Sequence, residues 1–373
     1  METIIQEVTS KKQMSAFLDF PYALYKGNPY NIPKLRFDEA ATLNPTKNPA
    51  FDFCEAKYWV AYQNGKVVGR IAAIYNKKYV ETWKNNYLRF GWIDFIEDIE
   101  VPRVLLKTVE GWAKELGCTA VHGPLGFTDL DFEGMLIEGY QEIGTMATIY
   151  NYPYYPVMME QLGYGKAVDW VEYRINVPEV FPENITKIAD LVEKRYKLHV
   201  VPMKSTKHLK PYASEVFKLV NETYSELYGV VELTPRQIDY YVKMYFSMIR
   251  VDCITLIANE ANQLVGFGIS MPSLSKALQK ANGSLFPFGF IHLLKALKKN
   301  TEADLLLIGI DKSLQGKGVN AIVLREFHKN YQKAGIKIIE SNPELEENKK
   351  VQSIWDHFPA RQHKRRRCFI KHF

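Results

Sequence analysis

The sequence predicts an α+β protein built from two tandem copies of one mixed α/β domain, each with a twisted, mainly antiparallel sheet flanked by helices in three layers. Three observations support this prediction. A strand–turn–strand pattern occurs once in each half, helical segments surround it in the same order, and a buried strand in the second half leads directly into a glycine-rich turn and a helix. The length of 373 residues agrees with two domains, because one domain commonly takes about 100–200 residues.

The repeated pattern is a β-hairpin. Residues 58–74 and 253–271 each contain an apolar strand, a polar turn and a second apolar strand that includes Val-Gly. Gly69 of the first copy corresponds to Gly266 of the second, 197 residues later. A repeat of half the chain indicates a duplicated domain, because the units of a solenoid are only about 20–50 residues long.

The boundary between the copies is expected in the proline-rich stretch near Pro178. It gives a first domain over 1–178 and a second domain over 179–373. The second domain includes an additional segment over 273–300, in which Leu and Phe alternate with five Lys and no acid. This segment is interpreted as a lid, a membrane-surface contact or a brace, and all three interpretations stay open.

Composition excludes several classes of protein. Hydrophobic residues make up 47% and charged residues 24%, which is typical of a globular protein. No apolar run reaches about 18 residues, so no transmembrane segment is expected, and the N-terminus does not resemble a secretory signal. The four Cys and eight His show no metal-ligand spacing, so we expect no metal site and a cytoplasmic location. DNA is not expected as a partner, because no nucleic-acid-binding module is visible.

Charge is distributed unevenly along the chain. Residues 361–373 hold six Lys or Arg and no acid, which accounts for the net charge of +6, and we expect them to form a solvated basic face. Residues 115–165 contain no Lys or Arg but several carboxylates among aromatic side chains. Such a mixture suits a pocket for a cationic or amine ligand, and an acidic surface loop is the alternative. The candidate acceptor-binding residues are Asp129, Asp131, Glu133 and Tyr150.

A glycine-rich turn is the feature most directly related to chemistry. It runs from Gln315 to Ala321, between a buried strand and a helix, so several backbone N–H groups are exposed at a helix N-terminus. Such a terminus binds anions such as a pyrophosphate, and Gly316 and Gly318 permit close approach. The spacing differs from that of a Walker A loop. We expect a bulky residue at Gly318 to block this approach without disturbing the core.

The order of strand, Gln-Gly-Lys-Gly turn, helix, strand and Asn-led helix resembles the GNAT superfamily of acyl-CoA-dependent N-acyltransferases, in its tandem two-domain form. Gln315 and Gly318 match the family's Gln/Arg-x-x-Gly-x-Gly/Ala turn, whereas Asn320 stands where Gly or Ala is usual. Asn348 leads the last helix as in the family, but Trp355 stands where Tyr is usual. The first copy has no glycine turn, so it is expected to have lost cofactor binding and to serve the acceptor or only the structure.

The resemblance implies acetyl-CoA or another acyl-CoA as a substrate. Its pyrophosphate would lie on the turn and its pantetheine between two splayed strands, and the basic tail is a candidate partner for its 3′-phosphate. The cofactor-binding residues implied are Ile308, Gly309, Ile310, Gln315, Gly316, Lys317, Gly318, Val319, Asn320, Asn342 and Asn348. Asn342 and Asn348 have a second interpretation, as residues that cap the last helix.

The implied activity is N-acylation, most simply acetylation, of a small or amino-acid-like amine that attacks the thioester directly. Glu340 is the first candidate for the general base. Ser353, or a water molecule, is the candidate proton donor to the leaving thiolate. Two alternatives stay open: a non-catalytic protein that binds acyl-CoA, and a peptidyl transferase that uses aminoacyl-tRNA.

Overall fold

The structure is a computed structural model that describes residues 2–205, 208–245 and 249–373. Contacts between residues divide the chain into two compact units. The first unit contains Met1–Val171, Leu274–Leu293 and His363–Phe373, and the second contains Glu172–Ser273 and Leu294–Gln362. The first range of the first unit ends at Val171, near the domain boundary expected at Pro178. The segments 274–293 and 363–373 pack with the first unit, although the sequence led us to expect them in the second domain.

Strands and helices alternate along the chain in the order expected for a mixed α/β protein. The strands are β1 (Ile4–Glu7), β2 (Cys54–Gln63), β3 (Lys66–Asn76), β4 (Tyr87–Phe95), β5 (Ala120–Gly123), β6 (Met135–Glu138), β7 (Gly165–Asn176), β8 (His199–Val200), β9 (Ile254–Ala258), β10 (Leu264–Pro272), β11 (Glu302–Ile310), β12 (Ile338–Ser341), β13 (Glu344–Leu345) and β14 (Ala360–His372). The helices are α1 (Lys11–Leu24), α2 (Arg36–Thr42), α3 (Lys77–Trp83), α4 (Glu100–Glu115), α5 (Tyr154–Gln161), α6 (Glu183–Tyr196), α7 (Ala213–Tyr224), α8 (Pro235–Tyr245), α9 (Ser275–Ala281), α10 (Gly289–Lys298), α11 (Asn320–Ala334) and α12 (Lys349–Gln352).

The first unit has a mixed sheet in the strand order β1-β2-β3-β4-β5-β14-β7. β2 and β3 form the predicted antiparallel hairpin, and β4 and β5 run parallel. Successive side chains of a strand point to opposite faces. Trp59 of β2 therefore joins the core under α4, and Val60 joins the core under α1. The sheet thus lies between two helical layers, as predicted.

The second unit repeats this arrangement with the strand order β7-β12-β11-β10-β9-β8. The predicted hairpin is present as β9 and β10, and β11 and β12 run parallel. Ala189 of α6 and Val323 of α11 pack in the core on one face of the sheet. Leu219 of α7 packs in the core on the other face. Both units therefore show the three layers that the sequence predicts.

The basic C-terminal segment is a buried strand and not the solvated face expected from its charge. β14 pairs with β5 in the first unit, and Lys364 and Arg366 of β14 are each 1% exposed. Three carboxylates form ion pairs with arginines of this strand, and two of them lie in the acidic stretch 115–165. The ion pairs are Arg365–Glu138 at 3.3 Å, Arg367–Glu160 at 3.5 Å and Arg367–Asp169 at 2.8 Å. The basic and acidic stretches of the sequence are therefore partners.

The additional segment over 273–300 forms α9, a loop and α10. Ser275 Oγ donates a hydrogen bond of 2.8 Å to the Gly144 carbonyl, and the Arg36 N–H donates one of 2.9 Å to the Gly283 carbonyl. These bonds fix the start of the segment within the first unit. No helix among the described residues is long and apolar enough to cross a membrane.

Candidate functional site

The two parallel strands of the second unit part after a short ladder. β11 and β12 are paired from Glu302 opposite Ile338 to Leu305 opposite Ser341. One further bond of 3.0 Å joins the Asn342 N–H to the Leu305 carbonyl. β11 then continues to Ile310 with β10 on its other side. The chain therefore has the splayed strands that the sequence analysis placed at this point.

A tyrosine hydroxyl lies in the opening between these strands. Tyr224, the last residue of α7, donates a hydrogen bond of 3.0 Å to the Ile308 carbonyl and accepts one of 3.3 Å from the Ile308 N–H. The N–H and C=O of one strand residue point to the same side, so both point away from β10. Tyr224 thus occupies main-chain groups of β11 that a bound chain would otherwise pair with.

The glycine turn follows directly after β11. Gly316 and Gly318 have φ of +72° and +85°, in the left-handed region that favours glycine. Gln315 Nε2 donates a hydrogen bond of 3.1 Å to the Ile310 carbonyl and ties the turn to the strand. Within the described residues, no acceptor is found for the backbone N–H groups of Gly316, Gly318, Val319 and Asn320. Four amides at the start of α11 therefore lack a protein acceptor, as expected at a helix N-terminus that can bind an anion.

Gly318 has a second role that the sequence analysis missed. A Cβ at this position would lie 2.9 Å from Cγ2 of Ile188 and 3.3 Å from Cγ2 of Val192, both on α6. The expectation that a bulky residue here would leave the core undisturbed is therefore wrong. Gly316 has no atom within 4 Å of such a Cβ. Lys317 lies between the two glycines with an exposed side chain, and its Nζ is 5.5 Å from the centre of the Tyr196 ring.

The three asparagines expected to bind the cofactor have different local surroundings. Asn320 is the first residue of α11, and its buried Oδ1 has no hydrogen-bond partner among the described residues. Asn342 makes the last link between β11 and β12 through its N–H. Asn348 caps α12, because its side chain accepts a hydrogen bond of 3.4 Å from the Val351 N–H. The capping interpretation therefore describes Asn348.

The two catalytic candidates lie on different elements. Glu340 is 6% exposed on β12, with Oε2 3.8 Å from the Arg174 guanidinium. Ser353 follows α12, is exposed, and donates its hydroxyl to the Lys350 carbonyl at 3.0 Å. The hydroxyl of Ser353 is thus directed to its own turn. Both roles stay predictions.

A second carboxylate near the parting strands was not found from the sequence. Glu344 begins β13, three residues after the end of β12. Trp355, which stands where the family has Tyr, donates its indole N–H to Glu344 Oε1 at 2.8 Å. Burial raises the pKa of Glu344 to about 7, although hydrogen bonds from Trp355 and Ser341 lower it. Oε2 is buried and has no partner among the described residues. No local sequence signal links positions 344 and 355, because only the fold brings them together.

The corresponding strand-to-helix junction of the first unit is filled by the protein itself. α4 starts at Glu100 after β4, without glycines. Asp98 Oδ1 accepts a hydrogen bond of 3.0 Å from the Glu100 N–H, and Asp98 Oδ2 accepts one of 2.9 Å from Gln63 Nε2. These bonds lower the pKa of Asp98, so it stays an anion. A carboxylate at this place excludes a second anion.

The first unit has a cavity of about 70 Å³ that includes one of the predicted acceptor residues, Tyr150. Aromatic side chains such as Trp92 and Phe132 form much of its wall. Glu39, which is 7% exposed, also lines it; the Trp92 indole donates to Glu39 Oε2 at 2.9 Å. Glu39 Oε1 has no hydrogen-bond partner among the described residues. Lys34 lines the same cavity, with Nζ 3.9 Å from the centre of the Phe132 ring, and burial lowers its pKa to about 7.

The other three predicted acceptor residues form a separate carboxylate cluster in the first unit. Burial raises the pKa of Asp129 and of Asp131 to about 6, and it also raises the pKa of Glu133 well above its usual value. The Arg89 guanidinium opposes these shifts for all three carboxylates. Among the described residues that line the cavity, Tyr150 is present but these three carboxylates are not. Their role as acceptor ligands stays a prediction.

The two repeated units, with a parted parallel strand pair and a glycine turn in the second, define the tandem GNAT fold. A search against family models found no match. A tandem GNAT protein from the clavulanic acid biosynthesis pathway superposes with a TM-score of 0.57 at 13% identity, covering 100% of this chain and 98% of that one. A probable N-acyltransferase from Enterococcus faecalis V583 superposes with a TM-score of 0.52 at 8% identity, covering 100% of this chain and 73% of that one. The chain therefore has the tandem GNAT fold predicted from its sequence.

Two curated proteins are similar in sequence over most of the chain. Protein YghO of Escherichia coli K12 is 26% identical over 375 residues, which is 99% of this chain and 95% of that protein. A bacterial ceramide synthase of Caulobacter vibrioides is 26% identical over 316 residues, which is 83% of this chain and 80% of that protein.

Proposed function

We propose that the protein is an acyl-CoA-dependent N-acyltransferase whose second unit binds the acyl-CoA. One observation carries the proposal: the parted strands β11 and β12 are followed directly by a turn with four amides that lack acceptors. The amides and the positive end of α11 suit the pyrophosphate. Main-chain groups of β11 near Ile308 suit the amides of pantetheine, once Tyr224 has moved away.

The proposed reaction is direct aminolysis of the thioester. The amine nitrogen attacks the carbonyl carbon, a C–N bond forms, the C–S bond breaks, and CoA leaves as its thiolate. The attacking nitrogen must give up a proton, and we propose Glu344 as the base because its pKa of about 7 lets it exchange protons near neutral pH. Glu340 is the second candidate, and its Oε2 lies 3.8 Å from the Arg174 guanidinium.

For the substrates, we propose a fatty acyl-CoA and a long-chain amino alcohol as the pair to assay first. The reason is the similarity to a protein named bacterial ceramide synthase. A ceramide is by definition the amide of a fatty acid with such an amino alcohol. The cavity of the first unit supports an amine acceptor, because the Glu39 carboxyl group lines it among aromatic rings.

Release of free CoA from acyl-CoA substrates of two to sixteen carbons tests this proposal. The acceptors are a long-chain amino alcohol, a small amine, an amino acid, and the matching diol without nitrogen. We expect CoA release and an amide product, identified by mass spectrometry, with the amino alcohol and not with the diol. Absence of turnover with every amine, in a protein that still binds acyl-CoA, would favour the non-catalytic alternative.

A further inference from the structure

Four large apolar side chains of the additional segment are exposed together. Phe286, Phe288, Phe290 and Leu294 are 77%, 67%, 38% and 60% exposed, and we call them the phenylalanine patch. The rings of Phe286 and Phe290 lie 5.9 Å apart, so these two side chains adjoin. A soluble surface seldom exposes several large apolar side chains side by side, because their contact with water is unfavourable. We therefore expect a partner that covers these side chains.

The helical periodicity of α10 places Phe290 and Leu294 of this patch on an exposed side of the helix. Gly289 and Leu293 are buried and hold one side of the helix against the protein. Phe290 and Leu294 are one turn apart and share the neighbouring side of the helix, which is exposed. The loop that precedes α10 adds Phe286 and Phe288 to the same end. Burial of one side thus leaves the other apolar side uncovered.

The charge around the patch limits which partner fits. The segment 273–300 contains five Lys and no Asp or Glu. Lys295 and Lys298 lie in the last turns of α10, and both are exposed. A second copy docking patch to patch would bring these like charges together, which is unfavourable. An anionic surface with an apolar interior matches both the exposed apolar side chains and the lysines of this segment.

We propose that the phenylalanine patch binds the surface of an anionic phospholipid bilayer. The Phe side chains would enter the boundary between headgroups and acyl chains, and the lysines would stay at the headgroups. A helix of this length lies on a bilayer and does not cross it. The inference goes beyond the proposed acyl transfer and holds whether or not the protein catalyses it.

Co-sedimentation with vesicles tests this proposal on the full chain. We expect binding to phosphatidylcholine vesicles that contain about one quarter phosphatidylglycerol, and much weaker binding to pure phosphatidylcholine. The double variant Phe286→Ser/Phe288→Ser should lose binding at least tenfold. The matched control is Val180→Ser, since Val180 is 82% exposed outside the patch and should bind as the wild type does. The charge variant Lys295→Glu/Lys298→Glu should lose the preference for phosphatidylglycerol.

Several results would overturn the proposal. The proposal fails if the Phe double variant binds vesicles as tightly as the wild type. It also fails if wild-type binding does not depend on phosphatidylglycerol, or if the wild type does not bind vesicles. Size-exclusion chromatography gives a further check: if the Phe double variant converts a dimer into a monomer, the patch is a contact between copies. All substituted residues are exposed, so unchanged thermal unfolding is expected and shows that the fold is intact.

Discussion

Replacing Tyr224 with Phe should tighten acyl-CoA binding while it weakens the free protein. The hydroxyl makes two hydrogen bonds to Ile308, and the proposed pantetheine must displace both. Two neutral hydrogen bonds contribute about 1–3 kcal/mol together. A value near 1.4 kcal/mol corresponds to about a tenfold decrease in Kd. The free energy of unfolding of the free protein should fall by a similar amount, because Ile308 loses its partner.

Isothermal titration calorimetry with acetyl-CoA measures the first effect, and urea unfolding measures the second. Tyr212→Phe is the matched control: Tyr212 packs in the same core, and within the described residues its hydroxyl makes no hydrogen bond. We expect this control to bind like the wild type. An unchanged or larger Kd for Tyr224→Phe would refute the idea that this hydroxyl occupies the pantetheine position.

Other predictions concern the proposed base and the glycine turn. Because burial raises the pKa of Glu344 to about 7, wild-type turnover should rise with pH through that value, and Glu344→Gln should abolish this rise and most activity. Burial in the folded protein favours the neutral carboxyl of Glu344. As the pH rises through about 7, the free energy of unfolding of the wild type should therefore fall relative to that of Glu344→Gln, by at most about 3 kcal/mol. Lys317→Glu should weaken acetyl-CoA binding at least tenfold in calorimetry, whereas Lys333→Glu, at the far end of α11, should not. In thermal unfolding Gly318→Ala should cost about 2–4 kcal/mol and Gly316→Ala about 1–2 kcal/mol, because both have positive φ but only the first meets α6; equal losses would contradict the packing argument.

The sequence predicted the features that local patterns determine. The two hairpins follow from alternating apolar runs around polar turns, and the glycine turn follows from Gly316 and Gly318 at the end of a buried strand. The same local order is enough to indicate the tandem fold. These predictions succeeded because each depends on residues close together in the chain.

What the sequence did not show depends on residues far apart in the chain. Tyr224 reaches Ile308 across 84 positions, and nothing near either residue indicates the contact. The basic tail was expected in solvent, because a count of charges does not show that Asp169 faces Arg367. Charge patterns report composition, whereas pairing across a sheet depends on the fold.

The position of β14 has a consequence for how the protein is made. Phe369 pairs with Gly123 and is fully buried in the core of the first unit, although most of the second unit lies between these two residues in the sequence. Translation runs from the first half to the second, so most of the second unit is made before β14. The first half, although translated first, therefore cannot complete its sheet until β14 has been made. Order of synthesis and order of assembly differ for this unit, and a nascent chain must keep the place of one strand open while the second unit is translated.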